Sequence, residues 1–219
     1  MFAGFAAGLI AALLQFLFVQ PVLLHAELYE TGAKLHFGAD GSSADGVAWS
    51  FDALRDGLSI LFSALVYTGY GLILVALMAA AHERGIETTT RQGLIWGIAG
   101  FITVHFAPAF GLPPEVPGVA AADVGLRQFW WFMCVTATGA GLGFFAFGKN
   151  LFAYGIGAVL ILTPHIVGAP HPDTFLGTVP PELSSLFVTR SLGVGLATWS
   201  LLGLLAAYFW NSEISSEEA

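Results

Sequence analysis

The chain has 219 residues, of which 56% are hydrophobic and only 10% are charged, whereas a soluble domain carries about a quarter charged residues. This composition, with a mean hydropathy of +0.77, excludes an ordinary soluble domain and indicates an integral membrane protein. The net charge of −8 at pH 7 argues against a nucleic-acid-binding protein, and a single cysteine excludes an internal disulfide framework.

Apolar segments follow one another along the chain, separated by short polar turns or by loops rich in glycine and proline. We expect spans at residues 2–24, 54–81, 93–110, 128–147, 151–166 and 183–210. The pattern predicts an all-α, polytopic membrane helix bundle of about six transmembrane helices, with five as the alternative, in a single integral-membrane domain over residues 1–219. The first segment lacks the positively charged start of a signal peptide, so we expect it to be a retained span.

Prolines and glycines refine this prediction. Pro21 is expected to kink or end the first span, and residues 32–50 to form an exposed loop before Trp49 returns to the membrane interface. Glycines at the small-xxx-small spacing of closely packed helices occur as Gly4/Gly8, Gly93/Gly97 and Gly139/Gly143. These faces would suit a partner helix or a second copy of the chain.

The distribution of basic residues predicts the orientation. The side of the two termini carries Arg84, Arg91 and Lys149, and the other side carries Lys34, Arg55, Arg127 and Arg190. The first group crowds into short turns, which dominate orientation, whereas the second is spread over long acidic loops. We therefore expect the protein to lie in a bacterial inner (plasma) membrane with both termini on the cytoplasmic side. Residues 25–30, 111–118 and 164–172 would then lie on the outer side.

His105 is the most unusual residue of the predicted spans. Pro108 has no N–H to donate to the carbonyl of Val104, so that oxygen is expected to be freed one residue before the histidine. An ionisable residue inside a membrane is a functional candidate by default, and neutral imidazole binds Co, Ni, Cu and Zn. The alternative is a neutral histidine hydrogen-bonded to a neighbouring helix.

Further candidate ligands lie on the predicted outer side. Glu27 and Glu30 share a face if the first helix continues, where they could gather cations at an entrance or simply form a solvated helix end. His165 and His171 lie between prolines, which would limit the entropy lost on ligation. They could equally be rigid loop residues, since no HxxH or CxxC spacing is present.

Arg127 and the tryptophan pair at 130–131 are interpreted as an interfacial anchor. The guanidinium of Arg127 is expected to pair with Glu115 or Asp123. No Walker sequence, GxSxG motif or paired intramembrane aspartates are present, so we expect no enzymatic activity.

The most specific pattern is the GLPPE-PG block followed by RQ and WW, and it belongs to a longer set of motifs. In chain order these are QP at 20–21, AELYE at 26–30, Trp49, Arg55, WG at 96–97, GF at 100–101, His105, Pro108, GLPPE at 111–115, PG at 117–118, RQ at 127–128, WW at 130–131, PH at 164–165, GAPHP at 168–172, VP at 179–180, EL at 182–183, Phe187, SL at 191–192 and Trp199. Over nearly its whole length the chain resembles the CbtA family of predicted cobalt transporter subunits.

The resemblance implies cobalt uptake, about five spans, and a small single-span partner with a histidine-rich tail. This chain shows no such tail of its own, which fits the multi-span component of the pair rather than a fusion of the two. The family brings no established ligand set, so any metal role of a residue here rests on side-chain chemistry.

The leading hypothesis is a membrane subunit of a divalent transition-metal importer for Co²⁺, embedded in the lipid bilayer. The ligands for translocation or at the entrance would be His105, Glu27, His165, His171 and Glu30. No tightly bound cofactor is expected. Two alternatives stay open: a non-transporting accessory subunit of a larger membrane assembly, and a membrane enzyme or a haem- or quinone-binding protein that uses His105.

Overall fold

The computed structural model of the protein describes residues 1–36 and 52–217. Its elements are α1 (Phe2–Leu14), a first π turn (Gln15–Val19), α2 (Gln20–Glu30), α3 (Ala53–His82), α4 (Thr90–Phe101), a second π turn (Ile102–Phe106), α5 (Ala107–Ala109), α6 (Val124–Phe147), α7 (Leu151–Val167) and α8 (Pro181–Glu217). The predicted all-α class is confirmed. Trp49 and most of the predicted loop at 32–50 lie outside the described residues.

Four helical stretches are long and apolar enough to cross a membrane, namely Phe2–Glu30, Ala53–His82, Val124–Phe147 and Pro181–Glu213. The helix Leu151–Val167 is apolar but shorter, and α4, the second π turn and α5 together occupy the third predicted span. The chain is therefore a multi-pass membrane protein. The predicted number of six crossings stays a prediction. The length and composition of the helices support four of these crossings.

The first span is predicted to end at Leu24. This boundary is wrong, because the helix continues as α2 to Glu30. Pro21 stands in the first turn of α2, directly after the first π turn. A proline ring lacks the N–H of an α-helical bond and crowds the carbonyl one turn earlier, and a π turn, with its wider i→i+5 pairing, accommodates that crowding. The helix therefore carries Glu27 and Glu30 as helical residues.

The same arrangement recurs ahead of Pro108. The second π turn ends at Phe106, two residues before that proline, just as the first ends at Val19, two residues before Pro21. His105 lies within this second π turn. The wide turn shows how the helix absorbs the proline, and the freed carbonyl of Val104 stays a prediction.

The chain divides into two compact units, so far as its residues are described. The first unit comprises Met1–Phe18, Trp49–Phe101 and Gly193–Ala219, and the second comprises Val19–Ala48 and Ile102–Leu192. The prediction of a single domain over residues 1–219 stays a prediction.

Within the first unit, glycines bring helix backbones together. A Cβ built on Gly4 of α1 would lie 2.5 Å from the Tyr67 carbonyl oxygen of α3, and one on Gly93 of α4 would lie 2.5 Å from the Gly203 carbonyl oxygen of α8. A Cβ on Gly97 would meet the carbonyl oxygen of Trp199. The expectation that these faces suit a partner chain is therefore wrong for these glycines, because helices of the same chain already cover them.

Candidate metal-ligand site

All five predicted ligands belong to the second unit, whose described residues fall within Val19–Ala48 and Ile102–Leu192. This unit contains α2, the second π turn, α5, α6, α7 and the beginning of α8. Helices α6 and α7 pack closely, since a Cβ on Gly141 would lie 2.7 Å from the Gly157 carbonyl oxygen. The ligand-bearing segments belong to the same unit as this helix pair.

Three segments predicted on the same side of the membrane meet in one apolar cluster. Its buried members are Ala26 and Tyr29 of α2, Val116 of the α5–α6 loop and Val179 of the α7–α8 loop, with Leu183 and Phe187 packed against them. We call the end of α2 (26–30) and the two loops (111–123 and 168–180) the cap. Their convergence agrees with the prediction that these segments share a side of the membrane, and the outer side stays a prediction.

Backbone hydrogen bonds join the two loops of the cap. Val119 and Gly177 form an antiparallel bridge, flanked by a bond of 2.7 Å from the Ala120 amide to the Leu176 carbonyl oxygen and one of 3.2 Å from the Thr178 amide to the Gly118 carbonyl oxygen. Val119 and Gly177 are exposed, so these defined backbone hydrogen bonds hold the two surface loops of the cap together.

Glu30 and Glu27 stand at the α2 edge of the cap. Gly118 has a φ of +80°, and a Cβ there would lie 3.1 Å from Cβ of Glu30. Glu30 is exposed and Glu27 is half-buried, so both carboxylates lie where a hydrated cation could approach. This contact between Gly118 and Glu30 is not visible in the sequence, because 88 positions separate the two residues.

His165 is held between two aromatic rings. The centroid of its half-buried imidazole lies 5.9 Å from that of Phe110 and 6.0 Å from that of Trp130, with interplanar angles of 71° and 70°. The Nε1 atom of Trp130 donates to the carbonyl oxygen of Pro164 at 3.1 Å. Among the described residues, neither ring nitrogen of His165 makes a hydrogen bond, so whichever nitrogen is unprotonated can bind a metal ion without breaking one.

The other histidines of this unit differ from His165. Nε2 of His25 lies 3.3 Å from Nζ of Lys34, so an ammonium group occupies the position that a metal ion would take. Nδ1 of the exposed His171 lies 3.2 Å from the carbonyl oxygen of Pro172. His105 is half-buried, and its Nε2 atom is shielded from solvent.

No ready coordination shell is present in the part of the chain that the structure describes. Within residues 1–36 and 52–217, no group of three or more His, Cys, Asp or Glu side chains lies close enough to hold one metal ion. The predicted ligands share a unit, but no three of them lie close enough together to hold one ion. Their roles as ligands stay predictions.

The predicted partner of Arg127 is confirmed. Its Nη2 lies 2.6 Å from Oε2 of Glu115, while Asp123 instead caps α6 by accepting from the Leu126 amide at 3.0 Å. Trp130, however, is not an interfacial anchor, because it is 3% exposed. The sequence did hold a signal for this burial: the buried residues Trp130, Cys134, Thr138 and Gly141 recur at helical spacing.

The family model described as "Probable cobalt transporter subunit (CbtA)" matches residues 1–211. The chain belongs to this family. No curated protein and no solved structure matches the chain. Family membership agrees with the multi-pass membrane architecture and with a role as one subunit of a cobalt transporter.

Proposed function

We propose that the chain is the membrane subunit of a divalent transition-metal importer that transports Co²⁺ across a bacterial inner membrane, with its termini in the cytoplasm. The observation that carries the proposal is the imidazole of His165, which two aromatic rings hold while its nitrogens make no hydrogen bond to the described residues. Membership in the family of probable cobalt transporter subunits supports it.

The chemistry of the second unit supports a stepwise path. The chain is acidic overall, at −8, and the carboxylates of Glu27 and Glu30 would raise the local cation concentration. His165 and His171 would then replace water molecules of the hydrated ion, because imidazole is a good ligand for Co²⁺. His105, in the second π turn, would accept the ion next, together with the carbonyl of Val104.

These ligands do not by themselves select cobalt. For nitrogen and oxygen sites, affinity rises from Co²⁺ through Ni²⁺ to Cu²⁺. Selectivity would then come from the geometry of the site, from metal availability, or from a small single-span partner whose histidines complete the coordination shell. A partner would also supply ligands towards a complete shell, since no three candidate ligands lie close together among the described residues.

The absence of three close candidate ligands among the described residues also favours a second function, that of a non-transporting accessory subunit in a larger membrane assembly. Without three ligands close together among the described residues, the chain could serve packing alone. In that case His105→Ala and His165→Ala would leave metal handling unchanged.

Uptake of labelled Co²⁺ distinguishes the two functions. Cells that lack their own importers would express the chain with and without a single-span histidine-rich partner. We expect His165→Ala and His105→Ala each to lower the initial rate on the order of tenfold or more, the range seen when groups around a metal site are removed. The matched control is His82→Ala, an exposed histidine of the first unit.

The outcomes are separable. Uptake that requires His165 or His105 but not His82 supports the importer. Uptake only with the partner makes this chain the membrane half of a two-part system. No uptake in any combination, with the protein verified in the membrane, rejects the importer in favour of the accessory role. Protease access to the tail beyond Trp210 tests the orientation separately.

A further inference from the structure

We propose that Trp130 is a positioning residue for His165, fixing both the backbone before the imidazole and the plane of the ring itself. The inference rests on the proposed function in one respect, namely that His165 binds the cation. Trp130 would not touch the ion. It would set the orientation of the His165 imidazole. This orientation would in turn affect how tightly His165 binds the ion when it replaces a bound water molecule.

The backbone contact lies at a weak point of α7. Pro164 is inside this helix, and its ring removes one helical hydrogen bond from the turn that carries His165. The Pro164 carbonyl oxygen accepts from the Gly168 amide at 3.0 Å and, in addition, from the indole of Trp130 at 3.1 Å in a buried position. Helix α6 therefore anchors the last turn of α7 at the residue preceding His165.

The ring contact constrains the side chain. Interplanar angles of 70° and 71° to Trp130 and Phe110 are those of edge-to-face pairs, which aromatic rings favour. Trp130 is 3% exposed, whereas Phe110 is 73% exposed. Trp130 therefore contacts His165 from the protein interior, and Phe110 contacts it from the exposed side. An imidazole already held in one orientation loses less conformational freedom when it binds.

The chain supplies a matched control in the adjacent residue. Trp131 is half-buried, and its ring pairs with Phe132 at a centroid distance of 5.0 Å. Trp131→Phe therefore removes an indole N–H from the same turn of α6 without touching His165. Trp130→Phe removes the N–H that binds Pro164 while keeping an aromatic ring of similar position.

The test follows His165 directly, in the purified full chain in detergent micelles with isotope-labelled histidine. The His165 imidazole resonance, assigned by its loss in His165→Ala, is monitored while Co²⁺ alone is added, because the paramagnetic ion broadens the signal of a bound ring. We expect Trp130→Phe to shift this resonance before any Co²⁺ is added. It should also raise the Co²⁺ concentration for half-broadening about three- to tenfold, the range that one hydrogen bond accounts for. Trp131→Phe should match the wild type.

Each result has a distinct meaning. If Trp130→Phe binds Co²⁺ at His165 like the wild type, the positioning role is wrong and the importer proposal is untouched. If Co²⁺ never broadens His165 in the wild type, His165 is not a ligand and this inference fails with it, while the uptake experiment decides the importer. If Trp130→Phe does not fold, 3-benzothienylalanine at position 130, which keeps a bicyclic ring but lacks the N–H, decides: a resonance and a Co²⁺ response equal to the wild type would overturn the positioning role.

Discussion

The two units of this chain are stabilised in different ways. In the first, glycines let backbones touch, as where Gly4 and Gly8 of α1 face α3 and Gly93 and Gly97 of α4 face α8. The second unit also has such a contact, between Gly141 of α6 and Gly157 of α7, but it adds Trp130 buried against Ala107 and Cys134, and loops joined at Val119 and Gly177.

The difference teaches where side-chain chemistry can be placed in such a protein. In lipid the hydrophobic effect contributes little to helix association, so close packing of small residues stabilises helix pairs instead. A helix contact made of glycines leaves no room for functional side chains. The loops of the cap are joined by backbone hydrogen bonds and still leave carboxylates and imidazoles accessible, as at Glu30 and His171. Substitutions in the first unit should therefore affect folding, and substitutions in the second should affect ligand binding.

The largest expected effect breaks the glycine contacts of the first unit. In Gly97→Leu the new side chain would begin at the carbonyl oxygen of Trp199, a backbone atom that cannot move aside. We expect a loss of about 3 kcal/mol or more in the free energy of unfolding, read as loss of the monodisperse peak in fluorescence-detected size exclusion. Gly69→Leu is the control, because nothing lies within 4 Å of its Cβ position. Equal loss in both variants would contradict the packing argument.

An intermediate effect is expected inside the cap, at Gly118. Gly118→Ala would place a methyl group 2.8 Å from Oγ1 of Thr178 and 3.1 Å from Cβ of Glu30, on a backbone with φ of +80°. The left-handed conformation alone costs about 1–2 kcal/mol, and the contact should add about 1 kcal/mol or more. The measurement is the midpoint of thermal unfolding in detergent.

Gly32→Ala separates strain from contact in that experiment. Gly32 has a similar φ of +75°, but nothing lies within 4 Å of its Cβ position. We expect this variant to show only the conformational part of the loss. If the two alanine variants are equally unstable, Thr178 and Glu30 do not pack tightly against the Gly118 position.

The smallest effect concerns the ion pair of Arg127 and Glu115. Its atoms are 2.6 Å apart, but both side chains keep nearly a third of their exposure, so the coupling should be under about 1 kcal/mol. A double-mutant cycle with Arg127→Gln and Glu115→Gln, measured at low and high salt, gives the value. A larger coupling that salt does not weaken would show that the pair is shielded from water, as it would be in a tight assembly.

Much of this fold could be read from the sequence, because long apolar runs and short polar turns determine helices whatever their neighbours. The ion pair of Arg127 with Glu115 was also predictable, since both lie beside one turn. The end of the first helix was not: Pro21 indicated a break, and only the structure reveals the π turn that absorbs it.

The candidate site was predictable as a set of residues but not as an arrangement. His105 and His165 stood out as ionisable groups in apolar surroundings, a property of local composition. The clamp of Phe110 and Trp130 around His165 depends on how α6 meets α7 and the end of α5, which no spacing encodes. The role given to Trp130 was wrong for the same reason, since a tryptophan near a helix end fits the interface and the interior equally well.

The two π turns also bear on how sequences of this family should be aligned. A π turn contains one residue more than the α-turn it replaces, so it can be read as a tolerated insertion. A one-residue deletion within Gln15–Val19 or Ile102–Phe106 would restore plain α-helix ahead of the proline, whereas a deletion elsewhere in these helices would rotate all later side chains by about 100°. Gaps between relatives should therefore collect at these ten positions, which makes the π turns the places where the length of a membrane helix can change in evolution.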